Sequence, residues 1–205
     1  LWKGIIAKVL IPMMVAPFVG LILAYLGMGL IHIISGKTHN PKTIRLFGHL
    51  QIGSASIIAL SHGLNDAQKS MGIITLGLFA AGQISAPSIP FWVIALCAIV
   101  MGLGTATGGL RIIKTLGFKI THLATPQGFT AELSSSVVIL AASFLGMPLS
   151  STQIITGSVA GVGAAKGLDN VRWGIAGRIA WTWLFTLPGT ALVAGSLYKL
   201  ISLIK

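Results

Sequence analysis

Residues 61–78 set Asn65, Asp66, Gln68 and Lys69 side by side in the middle of a long apolar tract. Asp66 is one of only three acids in the 205-residue chain, the others being Glu132 and Asp169. An ionised carboxylate inside an apolar segment costs roughly 3 kcal/mol on membrane-insertion scales, so it needs a partner or a purpose. Asp66 can pair with Lys69 at (i, i+3) and cap a helix. With Asn65 it can also ligate a cation such as Na+ next to an anion held by helix N–H groups. A second polar group follows the break Gly146-Met147-Pro148, where Ser150, Ser151, Thr152 and Gln153 open a helical arm. Hydroxyls and free amides converging there suit an oxyanion or a dehydrated Na+, and they equally suit backbone capping. Glu132, followed by Ser134, Ser135 and Ser136, is a candidate for a cation site or a proton relay. His62 lies four residues before Asp66 and reads as a core histidine rather than a proton carrier. Asp169 lies among loop cations and reads as a solvated charge.

The elements that hold these groups belong to a chain too apolar for water. It is 54% hydrophobic and 8% charged, with a mean hydropathy of +0.91, where soluble domains carry roughly 25% charged residues. The predicted fold is all-α, a polytopic integral membrane protein with one transmembrane region over residues 1–205. Residues 5–34 form a first tract, and Pro12 and Pro17 predict a kink in it. Residues 46–82 are too long for one straight span of about 20 residues. A broken helix fits them, with one half ending near His62, Gly63 as the break, and Asn65 and Asp66 as N-caps of the next half. Residues 91–110 are a third tract. Residues 127–166 read as a helical hairpin, re-entrant or fully spanning, with its tip at Pro148. Residues 175–200 are the last tract and contain Pro188.

The net charge of +11, from 14 basic and 3 acidic residues, resides in short loops without interleaved aromatics. It signals topology, and no nucleic acid partner is expected. Lys37, Lys42 and Arg45 lie in the 35–45 loop with its Asn40-Pro41 turn, Arg111 to Lys119 form a second basic loop, and Lys166, Arg172 and Arg178 a third. The 83–90 loop has no basic residue. Threading the tracts puts every basic loop on one side, which is cytoplasmic by the positive-inside rule, with Lys199 and Lys205 outside. Cys97 is alone, so neither a disulfide nor a thiolate metal site is available. No signal peptide is evident. An opening at Leu1, already close to a span, reads as a fragment of a longer protein.

The run from His62 through Gly72, with Asn65-Asp66-Ala67-Gln68-Lys69 at its centre, resembles the signature of the inorganic phosphate transporter family, the low-affinity phosphate permeases. Leu64 stands where the family often has a small residue. The Glu132-Leu133-Ser134 segment and Pro148-Leu149-Ser150-Ser151-Thr152-Gln153 resemble its hairpin motif, with Ser151 in place of a threonine and Gln153 in place of a histidine. The matches run from about His62 to Gly163. The resemblance implies two inverted repeats, each with an Asn-Asp helix and a hydroxyl-tipped hairpin. This chain carries one set, like the second repeat plus a preceding helix, so the N-terminal half is expected as a missing partner.

By that implication Asn65, Asp66, Ser150, Ser151 and Thr152 contact phosphate, and Asp66, Glu132 and Asn65 hold the coupling cation. Na+ is the metal expected at Asp66 and Glu132, with Gln68, Lys69 and Gln153 around them. The activity implied is symport of inorganic phosphate with Na+ or H+ in the cell membrane, without a cofactor. Metal-phosphate cargo and a homodimer are compatible with it. The residues alone leave three rivals: a carrier of another oxyanion or cation, a channel, and an intramembrane Ser/His/Asp enzyme. No serine lies in a nucleophile motif, so no enzyme is expected.

Overall fold

The computed structural model describes residues 2–35 and 41–204. In chain order it holds α1 (Trp2–Ile5), a π-helical turn (Ile6–Leu10), α2 (Ile11–Ser35), α3 (Pro41–Ala80), α4 (Phe91–Lys114) and a second π-helical turn (Thr115–Ile120). These are followed by α5 (Thr125–Phe144), α6 (Ser151–Ala164), a 3-10 turn (Leu168–Asn170) and α7 (Trp173–Ile204). No strand occurs among the described residues. Three segments, Trp2–Ile34, Phe91–Leu110 and Trp173–Leu203, are long and apolar enough to cross a membrane. Two compact units result, Leu1–Val171 and Arg172–Lys205. The second is α7 with the residues beside it, which stays helical through Pro188.

The first unit turns the usual burial pattern inside out. Large apolar side chains such as Phe18, Ile22, Leu60, Ile73 and Ile99 are exposed, while Ser54, Ser61, Asn65, Gln127, Ser135, Ser151 and Gln153 are buried. Lipid tails are as apolar as leucine, so outward-facing leucines cost nothing there, and the polar side chains collect inside where they find partners. Within the unit α2 packs on α6 and α5, α3 on α5 and α4, and α5 on α6. The seam between α2 and α6 depends on small residues. A methyl on Gly157 would overlap the Pro17 carbonyl, and one on Gly161 the Leu21 carbonyl, so the two backbones approach closely through a Gly-x-x-x-Gly pair.

The hairpin α5–α6 has its tip where expected. Gly146 adopts φ +65°, its N–H donates to Ser143 at 3.1 Å, and the Met147 N–H donates to Ala142 at 2.9 Å. This double bond around a left-handed residue is a Schellman ending, which a Cβ would disfavour. Pro148 then blocks further helix, and α6 restarts at Ser151. Leu149 and Ile154 pack with Ala16, Val138, Ile139 and Ala142, tying the tip to α2. Cys97 is buried with Ala67 and Val93 between α3 and α4, a packing role as expected.

Two sequence expectations change. α3 runs unbroken from Pro41 to Ala80, so the break at Gly63 is absent and Asn65 and Asp66 are not N-caps. Gly63 does not take a positive φ. Mid-helix glycine costs only about 1 kcal/mol relative to alanine, and the polar side chains around it reach tertiary partners without freeing the backbone. The basic residues at 42 and 45 lie on α3, and those at 114 and 119 on α4 and the turn after it, rather than in open loops. Pro17 lies inside α2 without ending it, and the π-helical turn closes just before Pro12. Lys37, Asn40 and the Asn40-Pro41 turn lie outside the described residues.

Candidate functional site

Asp66 lies in the middle of α3, where the hairpin tip reaches that helix. Asn65 Nδ2 donates to Asp66 Oδ1 at 2.8 Å, and Lys69 Nζ donates to the same oxygen at 2.9 Å. Ser151 Oγ, at the first helical position of α6, donates to Asp66 Oδ2 at 2.8 Å. Since that hydroxyl has one proton and the carboxylate only accepts, the contact of His62 Nδ1 with Ser151 Oγ at 2.8 Å assigns the hydrogen to Nδ1. The same nitrogen is 3.2 Å from Asp66 Oδ2, an (i, i+4) contact that exists because α3 is continuous. The Leu149 carbonyl, freed from helix pairing by the tip, accepts from Asn65 Nδ2 at 3.0 Å and Lys69 Nζ at 2.5 Å. Four side chains from two elements thus converge on one carboxylate.

Glu132, on α5, faces an earlier stretch of α3. Ser54 Oγ donates to Glu132 Oε2 at 2.5 Å and Gln51 Nε2 to Oε1 at 3.4 Å. Gly128, one turn before Glu132, leaves the room that the Gln51 amide fills. Ser54 and Asp66 are twelve residues apart on one helix, about 18 Å at 1.5 Å per residue. A single cation therefore cannot be ligated by both acids, and the shared set of Asp66, Asn65 and Glu132 divides into two separate places. No cluster of three His, Cys, Asp or Glu side chains occurs among the described residues. Any cation here would rely on neutral oxygens to complete its shell.

Both acids open onto cavities. His62 and Asp66 line one of about 490 Å³ between α3 and α4, walled by Gly104, Thr105 and Gly108. Glu132, Gln51 and Ser135 line another of about 480 Å³. A smaller one of about 210 Å³ lies at the tip, lined by Asn65, Gln68, Lys69, Ser143 and Pro148.

Of the expected tip hydroxyls, the structure brings Ser151 to Asp66. Ser150 is half-buried and caps α6 through its carbonyl, which accepts from Gln153 and Ile154, with no side-chain cap bond. Thr152 is exposed on the next position round the helix. Gln68 is exposed at the rim of the tip cavity. Gln153 is buried, and its Oε1 has no hydrogen-bond partner. Ser135 and Ser136 donate to the carbonyls four residues back, so those hydroxyls are used within α5.

Gln51, Ser54 and the Leu149 carbonyl were missed by the sequence reading, and His62 was set aside. The signal was available: positions 51, 54, 61, 62, 65 and 69 recur at helical spacing along one uninterrupted helix. Cutting the tract at Gly63 concealed that stripe.

Residues 32–194 match the sequence pattern of the Phosphate transporter family. The chain is 43% identical over its whole length to a probable low-affinity inorganic phosphate transporter of Mycobacterium bovis, of which it covers 49%. It is 40% identical over 96% of its length to a protein of the same description in Rhizobium meliloti, covering 59% of it. A third, in Bacillus subtilis, is 38% identical over 99% of the chain, which covers 61% of that relative. The chain thus spans about half the length of the first curated relatives it matches. A solved structure described as the sodium-dependent phosphate transporter superposes on all of the chain and 68% of its own, with a TM-score of 0.88 at 24% identity, a likeness of fold.

Proposed function

The chain belongs to the phosphate transporter family, and from that premise we propose that the protein containing it is a secondary transporter. It carries inorganic phosphate across the cell membrane by symport with Na+ or H+. The observation that carries this reading is the meeting of Asp66 with the α6 N-terminus through Ser151. Asn65, Asp66, Ser150, Ser151 and Thr152 form the phosphate-facing group. The Ser151 and Thr152 amides open α6 ahead of its first backbone bonds, which Gln153 and Ile154 make to the Ser150 carbonyl, and the helix dipole there favours an anion. Gln68, Lys69 and Gln153 surround that group, and Asp66, Asn65 and Glu132 serve the coupling cations at two stations. A carboxylate and a phosphate repel each other in low dielectric, so neither is stable in the site unless cations or protons accompany them. Coupling follows from that mutual dependence.

A re-entrant hairpin is supported by where its tip stops. α3 continues eleven residues past Lys69, about 16 Å, and the helical residues of the first tract extend some fourteen residues before Ala16, about 21 Å. Because the chain spans about half of its relatives, the complete site needs the rest of their length as well. The inverted-repeat and homodimer expectations belong to that larger protein.

The reading is tested by uptake of labelled phosphate into proteoliposomes holding the full-length protein. Uptake should be driven by an inward Na+ or H+ gradient and lost in Asp66→Asn. Phosphate flux that ignores both gradients would mean a channel, and full uptake by the Asp66→Asn protein would remove this group from the mechanism.

A further inference from the structure

We propose that Lys69 is a built-in counter-cation that fills the position where a Na+ would otherwise bind at Asp66. The inference rests on the transport reading above, and it narrows the two cation stations named there to one, at Glu132, with Lys69 standing in for the ion at Asp66. Lys69 Nζ lies 2.9 Å from Asp66 Oδ1 and 2.5 Å from the Leu149 carbonyl oxygen. A carboxylate oxygen and a carbonyl released from a helix end are the oxygen types that hold Na+ in broken-helix carriers. Here both oxygens point at one ammonium, and Asn65 Nδ2 donates to the same two atoms, so the pair is spanned twice by protein donors. The other carboxylate oxygen accepts from Ser151 and touches His62. No oxygen of Asp66 is left without a donor.

The tether matters as much as the charge. Lys69 stands one turn after Asp66, and its ammonium is a compact point charge with three donors, of which two are engaged. The third can face the tip cavity that Lys69 shares with Asn65, Gln68 and Pro148. An anion in that cavity then meets a cationic side chain tethered to the site, rather than an ion that must first be captured from solution. Among the described residues Glu132 has no such cation: its donors are Ser54 and Gln51, both neutral. Ion dependence in this half therefore falls to Glu132 and not to Asp66.

The test uses the full-length protein in detergent, as wild type, Lys69→Gln and Lys69→Arg, melted in NaCl and in choline chloride without phosphate. Lys69→Gln should gain a Na+-specific rise in Tm, roughly 2–4 °C at Na+ about tenfold above its Kd. It should gain a matching Na+ stimulation of phosphate uptake. Wild type and Lys69→Arg, which keep a tethered cation, should lack that gain. An equal Na+ response in wild type and Lys69→Gln overturns the proposal, and so does a Lys69→Gln protein with no added response. Failure of Lys69→Gln to fold in both salts also overturns it, because Na+ is expected to replace the missing charge. The melting readout needs no phosphate, so it stands even if uptake of phosphate is not observed.

Discussion

The two buried-side acids of the first unit solve the same electrostatic problem in different ways. Asp66 accepts from Asn65, Lys69 and Ser151 and touches His62, so its charge is met by a tethered ammonium and by donors on two elements. Glu132 accepts from Ser54 and Gln51 alone, and among the described residues it forms no ion pair. The first centre is complete without a bound ion. The second has its hydrogen bonds but not its counter-charge. In a low-dielectric setting an uncompensated carboxylate is the more costly state, which on the proposed transport reading makes Glu132 the place where an external cation gains most by binding. A residue's burial therefore says less about its role than the sign of what surrounds it.

Breaking the complete centre should have the largest effect. Asp66→Asn leaves the Lys69 ammonium beside a carbonyl with no anion. Removing one partner of a buried pair costs roughly 3–5 kcal/mol, and because Asp66 is 27% exposed, solvent screening lowers that toward about 2–3 kcal/mol. Phosphate uptake by the full-length protein should fall on the order of 100-fold, with loss of thermal stability. A variant with unchanged Tm and uptake would show the two centres to be equivalent surface features.

Glu132→Gln comes next. The amide can still accept from Ser54, so the α3–α5 contact survives and Tm should change little. What is lost is the charge available to a cation. Uptake at limiting Na+ or H+ should drop on the order of 30-fold, within the tenfold to hundredfold range that even outer groups of a cation site command, and recover as the cation is raised. Recovery of Asp66→Asn by the same treatment would erase the distinction between the two acids.

How far the sequence revealed this arrangement depends on which interactions are local. The hairpin was legible because Gly146 and Pro148 act on their own backbone, and the apolar tracts were legible because lipid selects on composition. Asp66 and Lys69 were found because charge in an apolar run is conspicuous, and Ser151 because a hydroxyl cluster follows the Gly146-Met147-Pro148 break. The continuity of α3 was not legible. Gly63 with Asn65 and Asp66 is a good local stop signal, and only the tertiary partners on Leu149 and Ser151 remove the need for capping. Gln51 and Ser54 were invisible for the same reason, since neither is unusual until Glu132 stands opposite. The separation of Ser54, the partner of Glu132, from Asp66 by about 18 Å also depends on α3 being one rod.

The two hydroxyls give the finest comparison. Ser54→Ala leaves Glu132 with Gln51 alone, at 3.4 Å. A hydrogen bond to a charged group contributes about 1.5–3 kcal/mol; with Gln51 still donating, the lower end applies, so uptake should fall about tenfold and the Na+ dependence should move with it. Ser151→Ala removes one donor of several from Asp66 and leaves Lys69 and Asn65 on the other oxygen. His62 Nδ1, already 3.2 Å from Oδ2, can then donate to the carboxylate directly. Net loss should be nearer the 0.5–1.5 kcal/mol of an ordinary hydrogen bond, roughly threefold to tenfold in uptake. Both variants are assayed together for uptake and Tm. If Ser151→Ala proves the more damaging, the hydroxyl contacts phosphate itself, because its share in supporting Asp66 is too small to account for the excess.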